Sequence, residues 1–169
     1  MSETPADDVE VLVRHEPAGS KMELRLWLRL LSCSSLVEAE IRRRLRAEFG
    51  ATLPRFDVMA QLNREPDGLR LSELSRRMMV TNGNITGLID RLVDEGLVLR
   101  EVDPDDRRAF TVRLTRLGSA TFRKMAAAHE TWIHELFGTM APKTVKRMLE
   151  DLQSLKLSAT AGLSEAREK

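Results

Sequence analysis

At Gly96 the hydrophobic period of this chain changes. Before it, Ile85, Leu88, Ile89, Leu92 and Val93 keep the i, i+3, i+4, i+7, i+8 spacing of one helix face. After it come two strand-like runs, Leu97 to Val102 and Ala109 to Leu114, on either side of the turn in DPDDRRAF, residues 103–110. Residues spaced for a helix cannot bury the same set of side chains as a strand, so a helix must give way to a hairpin here. Gly96 is the expected C-cap. Upstream, Leu71-Ser72-Glu73-Leu74 opens a shorter helix, with Ser72 as its cap and Leu74 and Met78 inward. Two short helices separated by Val80-Thr81-Asn82-Gly83 and followed by a hairpin have the order of a winged helix-turn-helix.

Long helical patterns flank this unit. From Lys21 to about Phe49, Leu26, Leu30, Cys33, Val37, Ile41 and Leu45 form one apolar stripe, and Trp27, Leu28 and Leu31 widen it near the front. Thr52 and Pro54 start a second helix over about 53–64, which Pro66-Asp67-Gly68 ends. Thr115 caps a long helix to about Met140; Pro142 or Lys143 begins a last one ending near Ala159, with a fraying tail. The expected architecture is mainly α (α+β): six helices and a two- to three-stranded wing. Residues 1–19 form a mobile acidic arm and 20–169 a single domain. Within it, 68–116 is the winged helix-turn-helix, and the long helices of 20–50 and 117–160 serve dimerisation, because a symmetric DNA reader must space two half-sites.

Composition narrows the function by exclusion. No apolar stretch approaches the ~20 residues of a membrane span, and the first residues lack the basic start and apolar centre of a signal peptide. A single cysteine, Cys33, permits no internal disulfide and suits the cytoplasm. There is no glycine-rich phosphate loop, nucleophile elbow or metal signature, so neither an enzyme nor any cofactor or metal is expected. With nine arginines and eight acids between Gly68 and Arg116, DNA affinity would have to come from arginines gathered on one face.

The candidate DNA contacts follow from the helix period. Asn82, Gly83, Asn84, Thr86, Gly87 and Arg91 lie off the apolar face of the second short helix. Small polar side chains at a helix N-terminus suit base edges in a major groove and its flanking phosphates. Arg107 and Arg108 at the hairpin tip suit the narrow minor groove, with one of the two pointing outward. Asp103 and Asp106 are assigned to shaping the turn and pairing with arginine. Arg76 and Arg77 on the preceding helix are candidate phosphate contacts.

The stretch LSELSRRMMVTNGNITGLIDRLVDEGLVLREVDPDDRRAFTVRLTRLG resembles the winged helix-turn-helix core of the MarR family of bacterial transcription regulators. The resemblance extends in layout over about residues 21–158. It implies a homodimer built from the first and last helices, double-stranded DNA with a palindromic operator as partner, and a small-molecule pocket between the dimerisation helices and the DNA-binding lobe. The function expected is a ligand-responsive repressor of a catabolic, efflux or stress operon. An aromatic carboxylate or its coenzyme A thioester is the expected effector, held by Arg25, Trp27, Arg29, Leu30 and Cys33 with Arg55 and Phe56, between the first two helices and the start of the helix after the wing. Gly87 departs from the family pattern, which carries a larger side chain there. One branch of the family senses hydroperoxides through a first-helix cysteine supported by tyrosines; this chain has no tyrosine, and Cys33 on the apolar stripe reads as a packed residue. A redox sensor through Cys33 and a helical partner-binding scaffold without DNA binding are the alternatives.

Overall fold

The computed structural model describes residues 22–78, 82–102 and 110–167, with the side chains of Asn82, Glu165 and Arg167 outside the description. The expected acidic arm and the wing-tip residues Asp103, Asp106, Arg107 and Arg108 therefore lie outside the described residues. The described elements are α1 (Met22–Phe49), α2 (Leu53–Asn63), β1 (Leu69–Arg70), α3 (Leu71–Met78), α4 (Asn82–Asp94), β2 (Val98–Val102), β3 (Phe110–Leu114), α5 (Arg116–Phe137) and α6 (Pro142–Arg167). They form two compact units, one up to His129 and one from Glu130 onward. No described helix is long and apolar enough to cross a membrane.

In the first unit, the inner faces of the short helices and of the sheet share one core. Leu45, Val58, Met59, Leu62, Leu74, Ile89, Leu92, Val98 and Val112 are essentially inaccessible to solvent. The sheet is antiparallel in the order β1-β3-β2. Val98 pairs with Leu114 and Val102 with Phe110, so residues 103–109 join the two wing strands. The short β1, a third strand, pairs Leu69 with Val112. That pairing corrects one expectation: α3 begins at Leu71, directly out of β1, and Ser72 lies inside its first turn instead of capping it. Arg70, already extended as the last residue of β1, takes the position ahead of the helix, so Ser72 comes two residues too late to cap it.

The junctions follow capping chemistry. Thr52 accepts from the Arg55 backbone N–H at the start of α2. At the end of α4, Gly96 has φ +69°. This lets its N–H bond to the Val93 carbonyl (2.8 Å) and the Leu97 N–H to that of Leu92 (2.9 Å), a Schellman ending. Thr115 caps α5: its hydroxyl accepts from Gly118 N–H (2.8 Å) and donates to the Gly96 carbonyl (2.8 Å). One side chain thus ties the start of α5 to the turn that ends α4.

In the second unit, α6 runs eight residues beyond the expected end near Ala159. Gly162 weakens a helix by only ~1 kcal/mol, and Ala159, Ala161, Leu163 and Ala166 around it are good helix formers. The hydroxyls of Thr160 and Ser164 donate to the carbonyls of Lys156 and Thr160, which hides the polarity that suggested fraying. None of the described side chains of α6 is buried.

The apolar stripe of α1 is covered only at its C-terminal end. Ile41 and Leu45 are buried, whereas Leu26, Trp27 and Leu31 are exposed. Cys33 is exposed too, which corrects the expectation of a packed thiol within the chain.

Candidate nucleic-acid interface

The recognition surface is built from α4 outward. Ile85, Ile89 and Leu92 are buried and Leu88 and Val93 half-buried, so the expected inner face is the observed one. Gly83, Asn84 and Arg91 are exposed, Thr86 and Gly87 half-buried. The first turn carries no acidic residue. A Cβ added at Gly83 or Gly87 would meet nothing within 4 Å. Gly87→Ala should accordingly fold normally and gain about 0.5–1 kcal/mol from helix propensity. Thermal unfolding measures this, and a destabilised variant would show that the space at Gly87 is occupied.

Arg76 and Arg77 differ sharply. Arg77 is held by two carboxylates, donating from Nε to Glu73 (2.9 Å) and from Nη1 to Glu65 (2.8 Å). Arg76 donates to the same Glu73 (3.0 Å from Nε) but is 78% exposed. The two guanidinium groups, Arg77 first, hold the Glu73 carboxyl below its ordinary range. Of the two, Arg76 is therefore the freer to meet a phosphate; Arg77 braces α3 against the turn after α2.

The wing is locked to α4 by an arginine that the linear pattern left unassigned. Arg100 on β2 donates to Asp90 on α4 (3.0 Å), and its guanidinium carbon stands 3.8 Å from the centre of the Phe110 ring. Its Nε is buried without a hydrogen-bond partner, as is that of Arg55. The available signal was period two: Arg100 shares a strand face with the buried Val98. On the other face Arg113 pairs across the strands with Glu101 (2.8 Å), whose carboxyl is pushed down by that contact.

The expected ligand residues are dispersed within one chain. Arg55 grips Glu95, just past α4, with both terminal nitrogens, one at 2.8 Å. Phe56 is buried, 5.5 Å from the Phe122 ring and 5.0 Å from that of His129, whose pKa burial lowers. Asp57 beside it feels Glu38 and Arg42 of α1, and burial raises its carboxyl pKa. Trp27 is 58% exposed. It precedes Glu38 by about 16 Å of helix at 1.5 Å per residue. Arg25 and Leu30 are half-buried, and Arg29 and Cys33 exposed, on the same front portion of α1. Within a single chain this group and the Arg55–Phe56 pair stand apart.

Comparison with known proteins agrees with this geometry. The MarR family model matches residues 51–110. The transcriptional activatory protein BadR of Rhodopseudomonas palustris is 34% identical over 113 residues, 64% of this chain and 64% of that protein. The chain thus spans less than two thirds of that relative. The solved MarR family transcriptional regulator from Silicibacter pomeroyi superposes with TM-score 0.72 at 33% identity, covering 85% of this chain and 99% of that one. Sco3205 of Streptomyces coelicolor, a MarR family regulator solved in complex with DNA, shares the fold at TM-score 0.70 and 23% identity over 84% of this chain and 91% of its own. A winged helix with this sheet order, matched over nearly the whole of a solved regulator, places the chain in the MarR family of transcription regulators.

Proposed function

We propose that the chain is a sequence-specific DNA-binding regulator working as a homodimer on a palindromic operator. The observation that carries this reading is the acid-free, solvent-facing start of α4, on a helix that Asp90 ties to Arg100 of the wing. In this reading α4 enters the major groove with Asn82, Asn84, Thr86 and Arg91, and Arg76 meets a phosphate. Arg107 and Arg108 reach the adjacent minor groove, with Asp103 and Asp106 shaping the tip. The DNA complex of Sco3205 supports the same use of the fold. The homodimer is supported by the exposed apolar side chains of α1 and α6, such as Leu26, Trp27, Leu149 and Leu152, which a monomer would leave in water.

Asn84→Ala is expected to cost about 1–3 kcal/mol at one base pair and to relax specificity there, while Arg108→Ala weakens binding to all sequences and flattens the salt dependence by about one unit of slope. Fluorescence anisotropy on DNA from upstream of the protein's own coding sequence measures both. Parental affinity and preference in both variants would remove α4 and the wing from the interface.

The regulator is further read as a ligand-responsive repressor of a catabolic, efflux or stress operon. An anionic aromatic effector at Arg25, Trp27, Arg29, Leu30 and Cys33, completed by Arg55 and Phe56 across the assembled dimer, would favour a recognition-helix spacing that no longer matches the operator. The activatory name of BadR favours a second reading, in which the bound chain raises transcription. Transcript levels of the adjacent operon with and without the gene separate the two, rising on deletion for a repressor and falling for an activator.

A further inference from the structure

Leu99 and Arg113 are register partners on β2 and β3. They alternate with Val98 and Val112, which are buried, and with Arg100, which bonds to α4; the face carrying Leu99 and Arg113 is therefore turned from α4. Leu99 and Arg113 of that face, with Leu114 at the end of β3, meet Arg116, Ser119 and Arg123 from the first two turns of α5 around an open cleft of about 510 Å³. No carboxylate is among the described residues that line it. Arg113 is paired with Glu101. Arg116 and Arg123 make no ion pair among the described residues, whereas Arg55, Arg77 and Arg100 each sit on a carboxylate. Two guanidinium groups with no ion pair among the described residues, beside a third held by Glu101, leave the concavity net positive and attract an entering anion. The floor is apolar: Leu99 is 41% exposed, a leucine side chain left in water beside these cations. Guanidinium groups above an apolar floor select a ligand that is anionic at one end and apolar at the other.

We propose that this cleft binds a small amphipathic anion, a phosphate monoester or carboxylate on a short apolar group. Its charged end lies among Arg116, Arg123 and the Ser119 hydroxyl, and its apolar end on Leu99 and Leu114. The site is independent of the reading of α4, because none of the residues lining it belongs to that helix. The anion competes with Glu101 for Arg113 and so links the wing strands to α5.

The test uses the full chain, followed by backbone amide and arginine Nε resonances at constant ionic strength. Phenyl phosphate, inorganic phosphate and phenol are titrated separately. Phenyl phosphate is expected to shift Ser119 and the Nε signals of Arg116 and Arg123 saturably, inorganic phosphate to bind the same groups more weakly, and phenol to leave them unmoved. R116Q/R123Q should bind phenyl phosphate at least about tenfold more weakly, the factor one charge-assisted hydrogen bond supplies, while R91Q on α4 should bind it unchanged. Both arginines lie at the surface, and a circular dichroism spectrum verifies the fold; S119A, which removes only a hydroxyl, gives a milder loss in the same direction. Shifts absent from these residues, equal binding by phenol, or undiminished binding in R116Q/R123Q would overturn the proposal. Displacement of phenyl phosphate by an upstream-DNA duplex that itself binds less tightly to R116Q/R123Q would assign the cleft to backbone phosphate and overturn it equally.

Discussion

Replacing Gly118 by alanine is expected to lower the folding free energy by about 3 kcal/mol or more. A Cβ at this position would stand 1.9 Å from the Leu97 carbonyl oxygen and 2.9 Å from its carbon. Both are backbone atoms, so no rotamer change relieves the clash, and α5 must move off the turn beneath it. The same Leu97 carbonyl accepts from the Thr115 N–H (3.0 Å), and the Thr115 hydroxyl reaches Gly96, so the displacement breaks the cap as well. Urea denaturation followed by circular dichroism measures the loss; in a thermal scan it corresponds to a midpoint roughly 10 °C lower. A variant as stable as the parent would mean that α5 does not rest on Leu97. Gly87→Ala is the matched control, since helix propensity acts alike at both helical positions and only the space around the new methyl differs.

Leu92→Ala is expected to cost about 3 kcal/mol, within the 2–5 kcal/mol typical of emptying a buried leucine site. Leu92 is wholly inaccessible on the inner face of α4 and also supplies the carbonyl that closes the Schellman ending. Its side chain touches no part of the outward face, so any change in DNA binding would come from how α4 is seated. Leu92→Met nearly conserves volume and should cost under about 1.5 kcal/mol. Equal losses for the two variants would indicate that side-chain volume is not what Leu92 contributes.

The helical and strand periods of residues 71–114 were readable directly because one side of each element is buried. Ile85, Ile89 and Leu92 could not have faced anything but the core, and Asn84 and Arg91 were left outside by subtraction. The capping residues Thr52, Gly96 and Thr115 were legible for a related reason: their chemistry acts over three to six neighbouring residues. The start of α3 escaped because the strand before it is set by pairing with residues more than forty positions later.

What the sequence by itself determined is therefore the local and periodic part: the six helices, the wing strands and the outward polar face of α4. Only the tertiary structure decided which charges act together. Arg100 and Asp90 are ten residues apart, Arg77 and Glu65 twelve, and Arg55 and Glu95 forty. A charged side chain carries no periodic mark of its partner, and any of these arginines would satisfy the linear pattern equally as a solvated cation. Folding chose among them by bringing particular carboxylates within 3 Å, which made Arg77 a brace and Arg100 the pin between wing and helix. The same holds for Gly118, whose need to be glycine arises from a backbone carbonyl twenty-one residues earlier and from nothing in its own neighbourhood of sequence.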